Sequence, residues 1–89
     1  MNSASAGRLP PSRRFIYAVL LGHPKQTWTV RTLTEALPAN AGISAGAVRD
    51  TVNVLLADKF LNEVPGYRAL TFVLNARGEH GLAELLRHD

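Results

Sequence analysis

The chain has 89 residues, 46% of them hydrophobic, with ten Lys and Arg against seven Asp and Glu and no cysteine. That length makes one small domain, which buries only about 60–65% of its unfolded surface; sharing a core with a second copy would relieve the limit. The lack of cysteine excludes a disulfide framework and a thiolate metal site, and the apolar runs, such as residues 18–21, are too short for a membrane span or a signal h-region.

Charge is unevenly placed. Residues 1–34 carry Arg8, Arg13, Arg14, Lys25 and Arg31 and no acid, whereas residues 35–89 carry five bases and seven acids. A basic first third suits phosphate contact, although a plain solvated surface has the same appearance. Residues 1–9, MNSASAGRL, are small and polar and read as a flexible N-terminal arm ahead of a single domain over residues 10–89. If the arm has a role, Arg8 is its contact with a duplex.

Pro10-Pro11-Ser12 opens a helix over residues 13–21. Phe15, Ile16, Val19 and Leu20 form its expected buried stripe, with Arg13, Arg14 and Tyr17 on or near the other side. Gly22 and then His23-Pro24 end it. Residues 27–29 favour a short strand, and Trp28 is expected in the core. A second helix follows, capped by Thr29 and running to about Leu37, with Val30, Leu33, Ala36 and Leu37 inward and Arg31, Thr32 and Glu35 outward. Pro38 stops it, and residues 38–42 make a turn in which Ile43 follows as the buried anchor.

Ser44 caps a third helix that reaches Asp58, about 22 Å long at 1.5 Å per residue. Val48, Val52, Leu55 and Leu56 define its core side. Its outward side holds Ala45, Gly46, Arg49, Asp50 and Asn53. A solvated helix face would favour Lys, Glu and Gln. Small residues instead let a helix axis approach base edges, while Arg pairs bidentately with guanine and Asn with adenine. Asp50 can accept from cytosine N4 or orient Arg49. Pro65-Gly66 fits the centre of a type II turn, so residues 62–74 read as a hairpin with a strand over residues 67–74 and Leu70, Phe72 and Leu74 on one side. Asn75 caps a last helix, residues 76–88, striped by Leu82, Leu85 and Leu86.

Helix, short strand, helix, turn, helix, hairpin, helix is the order of an α+β winged helix-turn-helix, with a three-helix core, a wing of two or three strands and a C-terminal helix. From Phe15 to Leu86 the chain resembles the small winged-helix transcriptional regulators of prokaryotes, including the MarR-like and PadR-like groups. The blocks TVRTLTEAL and GISAGAVRDTVNVLLADKFL carry the resemblance, together with the hairpin and LNARGEHGLAELL, in which Asn75-Ala76-Arg77-Gly78 stands at the usual "lT..G". Two departures stand out. Lys59 occupies the usual glycine after the recognition helix, so it must turn left-handed or move the cap, and the hairpin tip holds a single base, Arg68.

The resemblance implies a cytoplasmic, nucleoid-associated repressor that binds palindromic or repeated duplex sites as a homodimer. Ser44, Ala45, Gly46, Arg49, Asp50 and Asn53 would face the DNA, with Arg31, Thr32, Arg68, Arg13 and Arg14 around them. Arg49 and Asn53 would read bases, and Ser44, Arg31 and the helix N-termini would hold phosphates. Leu82, Leu85 and Leu86 are the candidate dimer surface, unless they close the monomer's own core. Plasmid or phage partition, replication or conjugation control is an allied alternative. A protein-interaction module without DNA binding is a separate one. No enzyme is expected: the chain has no glycine-rich phosphate loop and no nucleophile elbow. His23, His80 and His88 are scattered, and His80 with Glu84 reads as a surface pair. No cofactor or metal is expected.

Overall fold

A computed structural model describes residues 9–88. The arm expected over residues 1–9, with Arg8, lies outside the described residues except for Leu9, which packs against the core.

Helix α1 spans Pro11–Gly22, its prolines in the first turn where no backbone donor is lost. Strand β1, Thr27–Thr29, leads directly into helix α2, Val30–Ala36. Thr29 and Thr32 form a reciprocal capping box: the Thr32 amide donates to Thr29 Oγ1 at 3.1 Å and the Thr29 amide to Thr32 Oγ1 at 2.9 Å. A short 3₁₀ turn, Ala39–Ala41, ends at Gly42 in the left-handed region and delivers the chain to helix α3, Ala45–Ala57. Strands β2, Leu61–Glu63, and β3, Thr71–Leu74, form the wing, and helix α4, Ala76–Arg87, closes the chain.

The three strands form one antiparallel sheet in the order β1-β3-β2. Trp28 pairs with Phe72 on one side, and Glu63 with Phe72 on the other. Phe72 thus sits at the centre of the sheet and is fully buried. Around it gather Ile16, Leu20, Leu33, Val48, Val52, Leu55 and Leu82, one contiguous core drawn from all four helices. This arrangement is the expected α+β winged helix.

Several expectations are corrected. On α1, Tyr17 is buried and Phe15 is 42% exposed, the reverse of the expected faces. The two rows satisfy helical spacing equally, and it is Tyr17 that goes inside, with its phenol beside the Arg13 guanidinium. Ala36 is exposed, since Leu33 and Leu37 already fill the contact of the two-turn α2. The strand expected from residue 67 begins only at Thr71. There β1 gives way to α2 after the Thr29–Thr71 pair, and β2 extends only to the Val64 amide, which donates to the Thr71 carbonyl. Residues 65–70 are left as the wing loop, turned by Gly66 at φ 98.

Lys59 resolves its own ambiguity. It adopts φ 66. Its amide donates to the Leu56 carbonyl at 3.1 Å, and the Phe60 amide reaches the Leu55 carbonyl at 2.9 Å, which together make a Schellman cap built without glycine.

Candidate nucleic-acid interface

The helix expected to recognise DNA is capped by Ser44, whose Oγ accepts the Ala47 amide at 3.1 Å. Val48, Val52 and Leu55 anchor α3 in the core, and the buried Thr51 donates its hydroxyl to the Ala47 carbonyl at 3.0 Å. Ala45, Gly46, Arg49, Asp50 and Asn53 are all exposed. They fall into two rows. Ala45, Arg49 and Asn53, one turn apart, face an open groove of about 990 Å³, while Gly46 and Asp50 lie outside its lining.

The opposite wall of that groove is α2. Thr29, Val30, Arg31, Thr32, Thr34 and Glu35 line it, and Ala69 and Leu70 from the end of the wing loop close one side. Arg31 and Arg49 therefore face a common space with one carboxylate, Glu35, among them. The Arg31 Nε donates to Glu35 Oε2 at 3.2 Å. The Thr32 hydroxyl is taken up by the cap: it donates to the Thr29 carbonyl at 3.2 Å and accepts the Thr29 amide. Thr32 thus lines the groove but its side chain serves α2.

The remaining candidates are spread out. Arg68 is exposed in the wing loop beside Ala69. Arg13 is half-buried beside Tyr17. Arg14 lines a different groove of about 450 Å³, with Pro11, Phe15, Ala18 and Leu86. Of the three leucines expected on a dimer surface, Leu82 is fully buried in the chain's own core, Leu86 is partly buried and Leu85 is 40% exposed. Among the described residues, no three His, Cys, Asp or Glu side chains gather closely enough to hold a metal ion, and no helix is long and apolar enough to cross a membrane.

Thr29, Val30, Thr34, Glu35, Ala69 and Leu70 also line the groove, beyond the residues expected there from the sequence. For Glu35 the sequence holds a signal: Arg31 and Glu35 are spaced i, i+4 on the outward face of one helix.

Solved structures similar to this one include the following two. The YusO protein from Bacillus subtilis superposes with a TM-score of 0.67 at 18% sequence identity, over 97% of this chain and 59% of that one. A MepR-like protein complexed with pseudoligands gives a TM-score of 0.64 at 15% identity, over 94% of this chain and 57% of that one. The chain thus spans less than two thirds of the length of either, and the likeness at these identities is one of fold. No family model and no curated protein matches the sequence.

Proposed function

We propose that the chain is a sequence-specific double-stranded DNA-binding protein, a transcriptional regulator that represses by occupying its site. The observation that carries this reading is the exposed face of α3, where the small Ala45 and Gly46 are followed by Arg49, Asp50 and Asn53, and the row Ala45, Arg49 and Asn53 lines an open groove. α3 enters the major groove with its small residues leading. Arg49 and Asn53 contact guanine and adenine edges, and Asp50 accepts from cytosine N4 or orients Arg49. The Ser44 hydroxyl and the first amides of α3 hold one phosphate. Arg31 holds another across the groove, and Arg68 touches the flanking backbone from the wing.

Binding is by a homodimer, with two copies of α3 about 34 Å apart on one face of the duplex. The surface available for pairing lies between α1 and α4, where Phe15, Ala18 and Leu86 line an apolar groove and Leu85 stands exposed nearby. The winged-helix fold shared with the two solved structures supports this reading, as do the sequence blocks that resemble the small MarR-like and PadR-like regulators. On this reading the protein works in the cytoplasm, on the nucleoid.

Random-site selection followed by sequencing of bound DNA tests the proposal. The expected result is a palindromic or repeated site whose binding weakens by orders of magnitude between about 50 and 200 mM salt, as neutralising six or more phosphates requires. Arg49→Ala should lower affinity by about 1–3 kcal/mol and relax preference at one base pair. A protein that shifts no duplex, or one whose Arg49→Ala variant keeps both affinity and preference, overturns the reading.

A further inference from the structure

We infer that Glu35 acts as a charge brake on duplex affinity, holding Arg31 in an ion pair that must open before Arg31 can reach a phosphate. The inference rests on the duplex-binding reading above. Arg31 Nε and Glu35 Oε2 are 3.2 Å apart, with the two side chains 85% and 62% exposed. An exposed i, i+4 pair adds little to stability, and α2 does not need it. The Thr29–Thr32 capping box fixes its start, the Thr34 hydroxyl donates back to the Val30 carbonyl at 2.7 Å, and Leu33 is buried at 0% exposure. The pair's position is its distinguishing feature: both members line the wall that faces Arg49 and Asn53. Among the described residues, no other acid lines that groove.

The electrostatics follow directly. Paired with Glu35, Arg31 presents no net charge to an approaching backbone, so docking a phosphate there releases no counterion on balance. When Arg31 swings to the phosphate, the carboxylate is left facing the same anionic strand. Every duplex meets that penalty, whatever its sequence. Glu35 is thus a positioning residue acting through Arg31, and it lowers affinity evenly while leaving base preference with α3.

The test is Glu35→Gln in the full chain, titrated against a selected site and a scrambled duplex across a salt series, with Arg31→Gln and the double variant alongside. Glu35→Gln is expected to raise affinity for both duplexes by up to about eightfold near 0.1 M salt and to steepen the salt slope by about 0.9, the mark of one further neutralised phosphate. In the Arg31→Gln background the gain should be clearly smaller, since only the direct repulsion between carboxylate and strand is then relieved, and the thermal midpoint should barely move. An unchanged slope, or an equal gain without Arg31, overturns the brake while leaving duplex binding intact. Failure of the wild-type chain to bind any duplex overturns the underlying reading and the brake with it.

Discussion

Phe60 occupies the space that a side chain at Gly78 would need. A Cβ built on Gly78 would lie 2.9 Å from the Phe60 carbonyl carbon and 2.7 Å from Leu74 Cδ1, contacts that real Cβ atoms essentially never make. This is why glycine stands in the Asn75-Ala76-Arg77-Gly78 lead-in to α4. The helix end is seated on the linker that follows α3: Asn75 Nδ2 donates to the Lys59 carbonyl at 2.9 Å, and Arg77 Nε to the Asp58 carbonyl at 3.2 Å. Gly78→Ala should therefore destabilise the fold by about 1–3 kcal/mol, because overpacking against backbone outweighs the helix propensity gained. At Gly81 the obstacle is the Phe60 ring, which can shift, so Gly81→Ala should cost less. Urea denaturation of the two variants gives the ranking, and equal costs would show that the Phe60 carbonyl yields as readily as its ring.

Gly46 is the opposite case. Among the described residues, and apart from its chain neighbours and its own helix backbone, a built Cβ would meet only Ser44 Oγ, at 3.8 Å, so packing does not require glycine. Gly46→Ala should raise stability, by up to about 1 kcal/mol, and weaken duplex binding by holding α3 away from the base edges. A variant that is both more stable and an unimpaired binder would remove the reason given for a glycine on that face.

Lys59 should respond in the same direction for a different reason. It holds a left-handed backbone at φ 66, a conformation that costs a side-chain-bearing residue about 1 kcal/mol relative to glycine. Lys59→Gly keeps both Schellman hydrogen bonds and should raise the unfolding free energy by about 0.5–1 kcal/mol. A loss of stability would mean that the lysine side chain contributes more there than its backbone conformation costs.

Local chemistry made the element order and the caps legible. Thr29, Ser44 and Asn75 each accept the amide three residues on, as their types and positions implied. The face of α1 was not legible, because rows containing Phe15 or Tyr17 fit one helical period equally well. The length of β3 depended on where its partners end, which no window around residues 67–70 contains. Thr51 looks polar in sequence, yet its hydroxyl turns back onto its own helix and the residue is buried. As for the groove, the outward face of α3 could be read from spacing alone. That α2, through Arg31 and Glu35, faces it across the groove is a tertiary fact.

Burial pushes the Tyr17 phenol above its ordinary value near 10, an effect that the Arg13 guanidinium offsets in part and Asp58 reinforces. The sign of the stability effect follows. Above about pH 10 the unfolded chain loses this proton while the folded chain keeps it, so folding is disfavoured progressively until the raised folded value is passed. The stabilising contribution is complete below pH 10 and is lost through that window. Urea midpoints across pH 8–11 should fall more steeply for the wild type than for Tyr17→Phe, which has no proton to lose. Parallel profiles would show that the phenol ionises as readily inside the fold as outside it.

Ser44 allows capping and phosphate contact to be separated. Its Oγ accepts the Ala47 amide, which leaves the hydroxyl proton as a donor at the exposed start of α3. Ser44→Ala loses the cap and should cost about 1 kcal/mol of stability, so any fall in duplex binding would be ambiguous. Ser44→Asp keeps an acceptor for the Ala47 amide and adds a negative charge at the positive end of the helix, so stability should hold or rise by about 0.5 kcal/mol. If a phosphate docks there, the same carboxylate repels it and removes the hydroxyl donor. Affinity should then drop at least about tenfold at low salt, with the deficit shrinking as salt screens the repulsion. A folded Ser44→Asp protein that binds duplex like the wild type would place the phosphate contact somewhere other than the N-terminus of α3.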